Sequence, residues 1–272
     1  MEKRKCNKMK RLVIVLACCL FITVGIFVGL RILGSSPSTS SIIPFLTATP
    51  TEEIKSTIPQ VQEVVFNSIS YAFDTFDISD VSKLRLIGNF TEKKTTKQIM
   101  EDNGCIFGVN AGFYSTDNTP LGLFIGENYQ QQTPINSALF NGYLSFNKIT
   151  GDISSKPPNY KYVSAIQSGP LLFVNGVQQF LSIQDDTHER RVVAIITKEQ
   201  NLIFIIIYTK DSLYQGPLLG NLPKLLSQIS NQLDSPIRDA INLDGGSAST
   251  FLSESINIQE LTSVGSMFCL TK

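Results

Sequence analysis

Over most of the chain, apolar residues come in short β-branched runs separated by turn residues. Near its start they form one long uninterrupted run. Residues 12–30 are 19 positions without a charge, closed by Arg31. At 1.5 Å per residue such a helix is about 28 Å long, close to the hydrocarbon thickness of a bilayer. This predicts a transmembrane signal-anchor within residues 12–33. In residues 34–60 the periodicity disappears, and 16 of 27 positions are Ser, Thr, Pro or Gly, the composition of a flexible tether.

Beyond residue 60 the pattern becomes that of a folded domain. Residues 95–102 predict a short helix, capped by Thr95 and stopped by Asn103-Gly104. Residues 105–109 and 121–125 predict strands, the second following the turn residues Asp117-Asn118-Thr119-Pro120. Two more, at 163–166 and 171–174, flank Ser168-Gly169-Pro170, and Asn175-Gly176 has hairpin-turn chemistry. Residues 192–196 form a further run, and residues 202–208 are apolar on both faces, as a central strand requires. Leu222, Leu225, Leu226, Ile229 and Leu233 make a helical stripe. Residues 240–243 read as a short strand leading into Asp244-Gly245-Gly246-Ser247. The expected fold is mixed α/β (α+β). Residues 61–272 form a single domain built on a large, mostly antiparallel or mixed β-sheet with a few helices, preceded by one N-terminal transmembrane helix.

Composition narrows the function. The chain of 272 residues is 42% hydrophobic and 17% charged, with no net charge. It is too apolar for disorder and fits no collagen, coiled-coil or multi-span pattern. It also lacks the basic field a nucleic-acid partner needs. Neutrality is the sum of two unlike parts. Residues 1–31 hold seven basic and one acidic side chain, and the remainder holds 16 basic and 22 acidic. The six basic residues of segment 1–11 precede the apolar run, which predicts a cytoplasmic tail, one membrane pass and an extracytoplasmic domain in the cell envelope. A cleaved signal peptide is the competing reading. The length of the run and the lack of an A-x-A site favour an anchor.

Of five cysteines, Cys6, Cys18 and Cys19 belong to the tail and span, leaving Cys105 and Cys269 outside. There they can bridge or remain buried thiols. One histidine and no zinc-like spacing imply neither a metal site nor a cofactor.

Four places join glycine and polar groups at the end of an apolar run. They are Asn110-Ala111-Gly112-Phe113-Tyr114, Ser168-Gly169-Pro170, Arg190-Arg191, and Asn242-Leu243-Asp244-Gly245-Gly246-Ser247. An Asp-Gly-Gly-Ser turn exposes backbone N–H groups and a carboxylate with no side chains in the way. Asn110 with Phe113 and Tyr114 offers an amide and two aromatic faces, groups suited to a sugar. Any one such turn is ordinarily just a strand ending, but ligand sites collect where several strand ends meet.

These residues carry a resemblance. Residues 108–114 with 119–123, then 167–172 with Asn175-Gly176, then Arg191 before an apolar run, then 242–247, resemble in order the motif blocks of the phosphodiester glycosidase family. The chain departs from the family pattern at Val192, where threonine is usual, and at Ile195, where glycine is common. It also departs at Tyr208-Thr209-Lys210, where Asp-Gly-Arg is frequent. The resemblance implies hydrolysis of the bond between a sugar's anomeric carbon and a phosphodiester, in an envelope or exopolysaccharide-associated glycan. It makes Asp244 and Arg191 the expected catalytic residues, the carboxylate for water or ring charge and the guanidinium for phosphate. Expected substrate contacts are Asn110, Gly112, Phe113, Tyr114, Ser168, Gly169, Asn242, Gly245, Gly246 and Ser247. A second carboxylate is expected, with Asp186 and Glu189 nearby in sequence.

Each residue also has a structural reading. Asp244 can brace its own turn, Phe113 can be core, and Asn242 can satisfy backbone groups. Arg190 reads as a solvated residue at a strand start, and His188 as an exposed loop residue. Two alternatives differ in class: a non-catalytic module binding anionic glycan during exopolysaccharide assembly, and a metal-dependent phosphodiesterase using Asp244 as ligand. The scarcity of His and of clustered acids counts against the second.

Overall fold

In the computed structural model the described residues are 62–127, 129–131, 133–159 and 164–272. The predicted span and tether lie outside them. Among the described residues no helix is long and apolar enough to cross a membrane.

The strands form three sheets rather than the single large one expected, and every ladder is antiparallel. The seven-stranded sheet runs in the order β1 (Gln62–Phe66), β2 (Ile69–Ile78), β13 (Leu202–Thr209), β12 (Arg191–Thr197), β14 (Ile237–Asn242), β10 (Leu171–Val174), β11 (Val177–Gln178). A five-stranded sheet runs β16 (Asn257–Ile258), β15 (Phe251–Leu252), β4 (Cys105–Asn110), β17 (Ser266–Thr271), β3 (Leu84–Gly88). Another runs β6 (Gln130–Gln131), β5 (Phe124–Ile125), β9 (Ser164–Ser168), β7 (Gly142–Phe146), β8 (Gly151–Ser154). The domain is β-rich, with two α-helices of eight residues each, α1 (Thr96–Asn103) and α2 (Leu222–Ile229).

Strand period explains the core. Along β13 the even positions Leu202, Phe204, Ile206 and Tyr208 enter a cluster shared with Leu86, Phe107, Leu144, Ile166 and Phe268 of the other two sheets. The odd positions Ile203, Ile205 and Ile207 face Leu222, Leu225, Leu226 and Ile229 of α2. A strand covered on both faces has no polar side, which is why residues 202–208 carry no alternation. The stripe on α2 is real, but α-helix ends at Ile229 and a 3-10 turn continues to Gln232. The first helix matches its prediction: the Thr95 hydroxyl caps Gln98 N–H, and Gly104 ends it in the left-handed region. The expected strand at 121–125 shortens to Phe124–Ile125. Asn175 and Gly176 both adopt positive φ between β10 and β11, the geometry of a primed hairpin turn.

Cys105 and Cys269 form a disulfide with Cα atoms 5.5 Å apart, tying β4 to its neighbour β17.

Candidate active site

The four motifs meet where β4, β9, β12 and β14 reach one end of the domain. Asn110 closes β4 and is almost fully buried. Its Nδ2 donates to the Asp244 carbonyl at 2.6 Å, and its Oδ1 accepts from Thr250 N–H at 3.0 Å. The Asp244 N–H donates in turn to the Ala111 carbonyl at 3.1 Å. The first motif therefore holds the fourth by main-chain and amide bonds.

The second motif grips the same strand end. Ser168 Oγ donates to the Asn242 carbonyl at 2.8 Å, and Asn242 Nδ2 donates to the carbonyls of Gly169 (3.0 Å) and Leu243 (2.8 Å). Gly169 has φ +151°, and a Cβ there would sit 2.2 Å from the Leu139 carbonyl oxygen, so no larger residue fits. Asn242 Oδ1 is buried without a partner.

The third motif supplies the charges. Arg191 opens β12 opposite Ile207 and is 7% exposed. Its Nε donates to the Pro217 carbonyl (3.1 Å) and one Nη to the Thr187 carbonyl (2.6 Å), with Asp186 at 3.5 Å. The other Nη lies 3.9 Å from Glu189 Oε2 and 3.6 Å from where a Cβ on Gly245 would stand. Burial weakens the charged form of Arg191, and Glu189 and Asp186 work against that. Asp186 is spent on structure, accepting from Leu219 N–H at 2.9 Å and Gly220 N–H at 2.8 Å. Glu189 keeps a half-exposed side chain and faces the glycine pair: a Cβ on Gly246, whose φ is +62°, would lie 2.6 Å from its Oε2. Of the two acids flanking Arg191, Glu189 is the one that reaches the turn.

Asp244 stands at the centre. Its Oδ1 accepts from Gly245 N–H at 2.9 Å. Its carboxyl is pushed up to about 7, chiefly by burial, with the Glu189 charge adding and the Gly245 bond opposing. Tyr114, hydrogen-bonded to the Ser263 carbonyl at 2.7 Å, is raised too, first by burial and then by the Asp244 charge. Two of the three N–H groups offered by the turn are already engaged, Gly245 by Asp244 and Gly246 by the Arg190 carbonyl at 2.9 Å. Ser247 is exposed, and its carbonyl accepts from Leu261 and Thr262 N–H groups. Gly112 is buried against Ile166 and Gln167. Phe113 is half-buried, with its ring 4.8 Å from that of Phe140.

Arg190 is not the solvated residue expected. It is 1% exposed, and its guanidinium donates to three carbonyls: Leu213 (3.0 Å), Ser249 (2.5 Å) and Gln259 (3.0 Å). It has no carboxylate within ion-pair distance among the described residues. Its work is to clamp the three segments around the turn. Neighbouring arginines at a strand start look alike in sequence; only the loops returning from positions 213, 249 and 259 distinguish them. His188 is exposed, with Nδ1 3.0 Å from the Gly216 carbonyl.

Among the described residues no group of three or more His, Cys, Asp or Glu is arranged to hold a metal. A cavity of about 600 Å³ beside Cys105, lined by Lys97, Glu101 and Glu254, includes none of these site residues.

A protein-family model described as phosphodiester glycosidase matches residues 103–270. No curated protein matches the chain. Among solved structures, a hypothetical protein from Synechocystis superposes with a TM-score of 0.59 at 13% identity, over 77% of this chain and 61% of that one. The catalytic domain of zebrafish N-acetylglucosamine-1-phosphodiester alpha-N-acetylglucosaminidase, auto-inhibited by its pro-peptide, superposes with a TM-score of 0.59 at 15% identity. That match covers 78% of this chain and 81% of that one. At these identities the likeness is one of fold. The chain spans about three fifths of the length of the Synechocystis protein.

Proposed function

The chain belongs to the phosphodiester glycosidase family, and we propose that it hydrolyses the sugar–phosphate bond of a glycosyl-1-phosphodiester. The observation that carries this reading is the meeting of Asp244, Glu189 and Arg191 at the Gly245-Gly246 turn. A carboxyl held near 7 is half deprotonated at neutral pH, and its conjugate base is much stronger than an ordinary aspartate. Asp244 takes a proton from water as the water oxygen attacks the anomeric carbon. The bond from that carbon to the phosphate oxygen breaks, and its electron pair leaves with the phosphate. The products are a free sugar and a phosphate monoester. A phosphate departs as a stabilised anion, so little general-acid help is required.

Glu189 faces the positive charge that grows on the ring in an oxocarbenium-like transition state. Arg191 turns its less engaged Nη to a phosphate oxygen. In an acidic domain that local cation offsets repulsion between substrate and protein. Asn110 acts as a positioning residue, both amide atoms being committed to backbone. Asn242 is likewise a positioning residue, its buried amide nitrogen holding the Gly169 and Leu243 carbonyls. Phe113 and Tyr114 flank the sugar, and Ser168, Gly169 and Gly112 shape the floor.

The zebrafish neighbour acts on N-acetylglucosamine-1-phosphodiesters, which makes that sugar class the first to assay. Residues 12–33 would hold the protein at the membrane with the catalytic domain outside, where a Cys105–Cys269 bridge is stable. There its substrate would be an envelope or exopolysaccharide glycan. The test is to incubate the full chain with sugar-1-phosphodiesters and measure free sugar. Wild type releases sugar, and Asp244→Asn and Arg191→Gln each lose at least tenfold in kcat/KM while folded. A chain that binds anionic glycans but releases no sugar across a broad panel is a binding module instead.

A further inference from the structure

Beside the Asp244 turn, residues 133–141 run as an irregular loop over the end of β9, and one buried side chain gathers it in. Gln167 of β9 is 3% exposed. Its Oε1 accepts from the N–H groups of Ile135 (2.9 Å) and Leu123 (3.3 Å). Its Nε2 donates to the carbonyls of Ile135 (2.8 Å) and Phe140 (2.7 Å). A Cβ on Gly122, whose φ is +89°, would stand 2.2 Å from that Oε1, so glycine there opens the space the amide fills. These bonds join two segments, one running from Phe113 to Leu123 and one ending at Phe140. The two rings meet, 4.8 Å between centroids and tilted by 46°, and both are half-buried. Both also lie at the site. Phe113 is two positions beyond Ala111, whose carbonyl accepts from Asp244 N–H at 3.1 Å. Phe140 follows Leu139, whose carbonyl oxygen crowds Gly169, and Gly169 N–H donates to the Asn242 carbonyl at 3.1 Å.

The four bonds use both lone pairs and both amide protons of the Gln167 side chain. A buried amide satisfied on every side fixes the backbone it holds, here the two segments that carry Phe113 and Phe140. Rings tilted against each other at the surface each keep a face, and an aromatic face suits the C–H side of a sugar ring. We propose that Phe140 contacts the sugar, forming with Phe113 an angled aromatic wall beside the Asp244 turn, and that Gln167 is the positioning residue that sets this wall in place. The proposal rests on the glycosyl-1-phosphodiester site put forward above. It adds to that site a contact from a loop outside the four motifs. Gln167 touches no substrate; it acts through the Phe140 carbonyl and the two segments it ties together.

The test is equilibrium binding, measured by calorimetry on the full chain carrying Asp244→Asn so that no turnover intervenes. The probes are the methyl esters of N-acetylglucosamine-1-phosphate, glucose-1-phosphate and mannose-1-phosphate. Adding Phe140→Ala raises Kd roughly tenfold, the worth of one aromatic face, while Phe140→Tyr stays within about twofold of the parent. Gln167→Glu keeps the size and the acceptor but cannot donate to the Ile135 and Phe140 carbonyls, and it raises Kd about as much as Phe140→Ala. Gln167→Met, of similar length and uncharged, gives the same result where a buried charge unfolds the chain. Combined with Phe140→Ala, either Gln167 substitution adds nothing further, because both act on one contact. Melting temperatures separate a role in folding alone, which lowers Tm and leaves Kd unchanged. An unchanged Kd in Phe140→Ala or in the Gln167 variants, or effects that multiply in the double variant, overturns the proposal. A parent chain that binds none of the probes overturns it as well. Sugar release by the chain with Asp244 intact reports on hydrolysis separately: if none is released while the binding pattern holds, hydrolysis fails and the aromatic wall stands.

Discussion

Replacing Asp244 with Asn removes the ionisable proton and keeps the acceptor for Gly245 N–H. The native carboxyl is held at about 7 against an ordinary 3.8. A carboxyl raised in the folded state is ionised more easily when unfolded, so the native state loses ground as pH climbs from about 4 to about 7 and nothing further above that. Each tenfold change in proton affinity is worth about 1.4 kcal/mol, which makes the penalty about 2 kcal/mol at pH 5 and about 4 kcal/mol at pH 8. Asp244 retains some contact with water, and screening trims the upper figure to about 2–4 kcal/mol. Asp244→Asn is therefore more stable than wild type at pH 8 by that amount, by less at pH 5, and equal to it near pH 3.5. The chain has no Trp, so urea unfolding is followed by circular dichroism across pH 4 to 8. A pH-independent difference, or a variant less stable at pH 8, refutes the buried-carboxyl reasoning. Greater stability with activity lost is the pattern of a site strained for chemistry.

Arg190→Met leaves the carbonyls of Leu213, Ser249 and Gln259 without their donor and lowers stability by about 3 kcal/mol; a change below about 0.5 kcal/mol in urea melts contradicts the clamp. Reducing the Cys105–Cys269 bridge reopens a separation of 164 residues, for which the chain-entropy ceiling is about 5 kcal/mol; a Tm unchanged by reductant and by Cys269→Ser contradicts it. Gly246→Ala drives a methyl toward Glu189 and strains a left-handed residue by about 1–2 kcal/mol. It should cost activity more than stability, and retained kcat/KM would free Glu189 from the site.

Local chemistry was the legible part of the sequence. Thr95 and Gly104 bound their helix as capping rules require, and the two-faced run at 202–208 is central because two cores flank it. The Asp-Gly-Gly-Ser turn and its Asn and Ser neighbours converge because strand-end glycines admit close backbone approach. Pairing across sheets was not legible. Short strands such as Phe124–Ile125 have too few positions to declare a period, so three sheets read as one. The role of Arg190 was hidden for a related reason. An arginine between an acid and another arginine has the composition of a solvated patch, and only segments from 23 to 69 positions away bury it. Asp186 and Glu189 were equivalent in sequence until the 3-10 turn at Leu219–Asn221 claimed the first.

The central claim is that Asp244 acts as the base in hydrolysis of a glycosyl-1-phosphodiester, its proton affinity raised first by burial and then further by the Glu189 charge. The direct measurement is the pH dependence of kcat/KM for sugar release by wild type and by Glu189→Gln. The account predicts a wild-type rate that rises with pH and levels off above about 7. In Glu189→Gln the maximum is lower and the inflection moves to lower pH, because the like charge that raised Asp244 is gone. A rate that falls above pH 7, or an inflection that stays in place in Glu189→Gln, contradicts it.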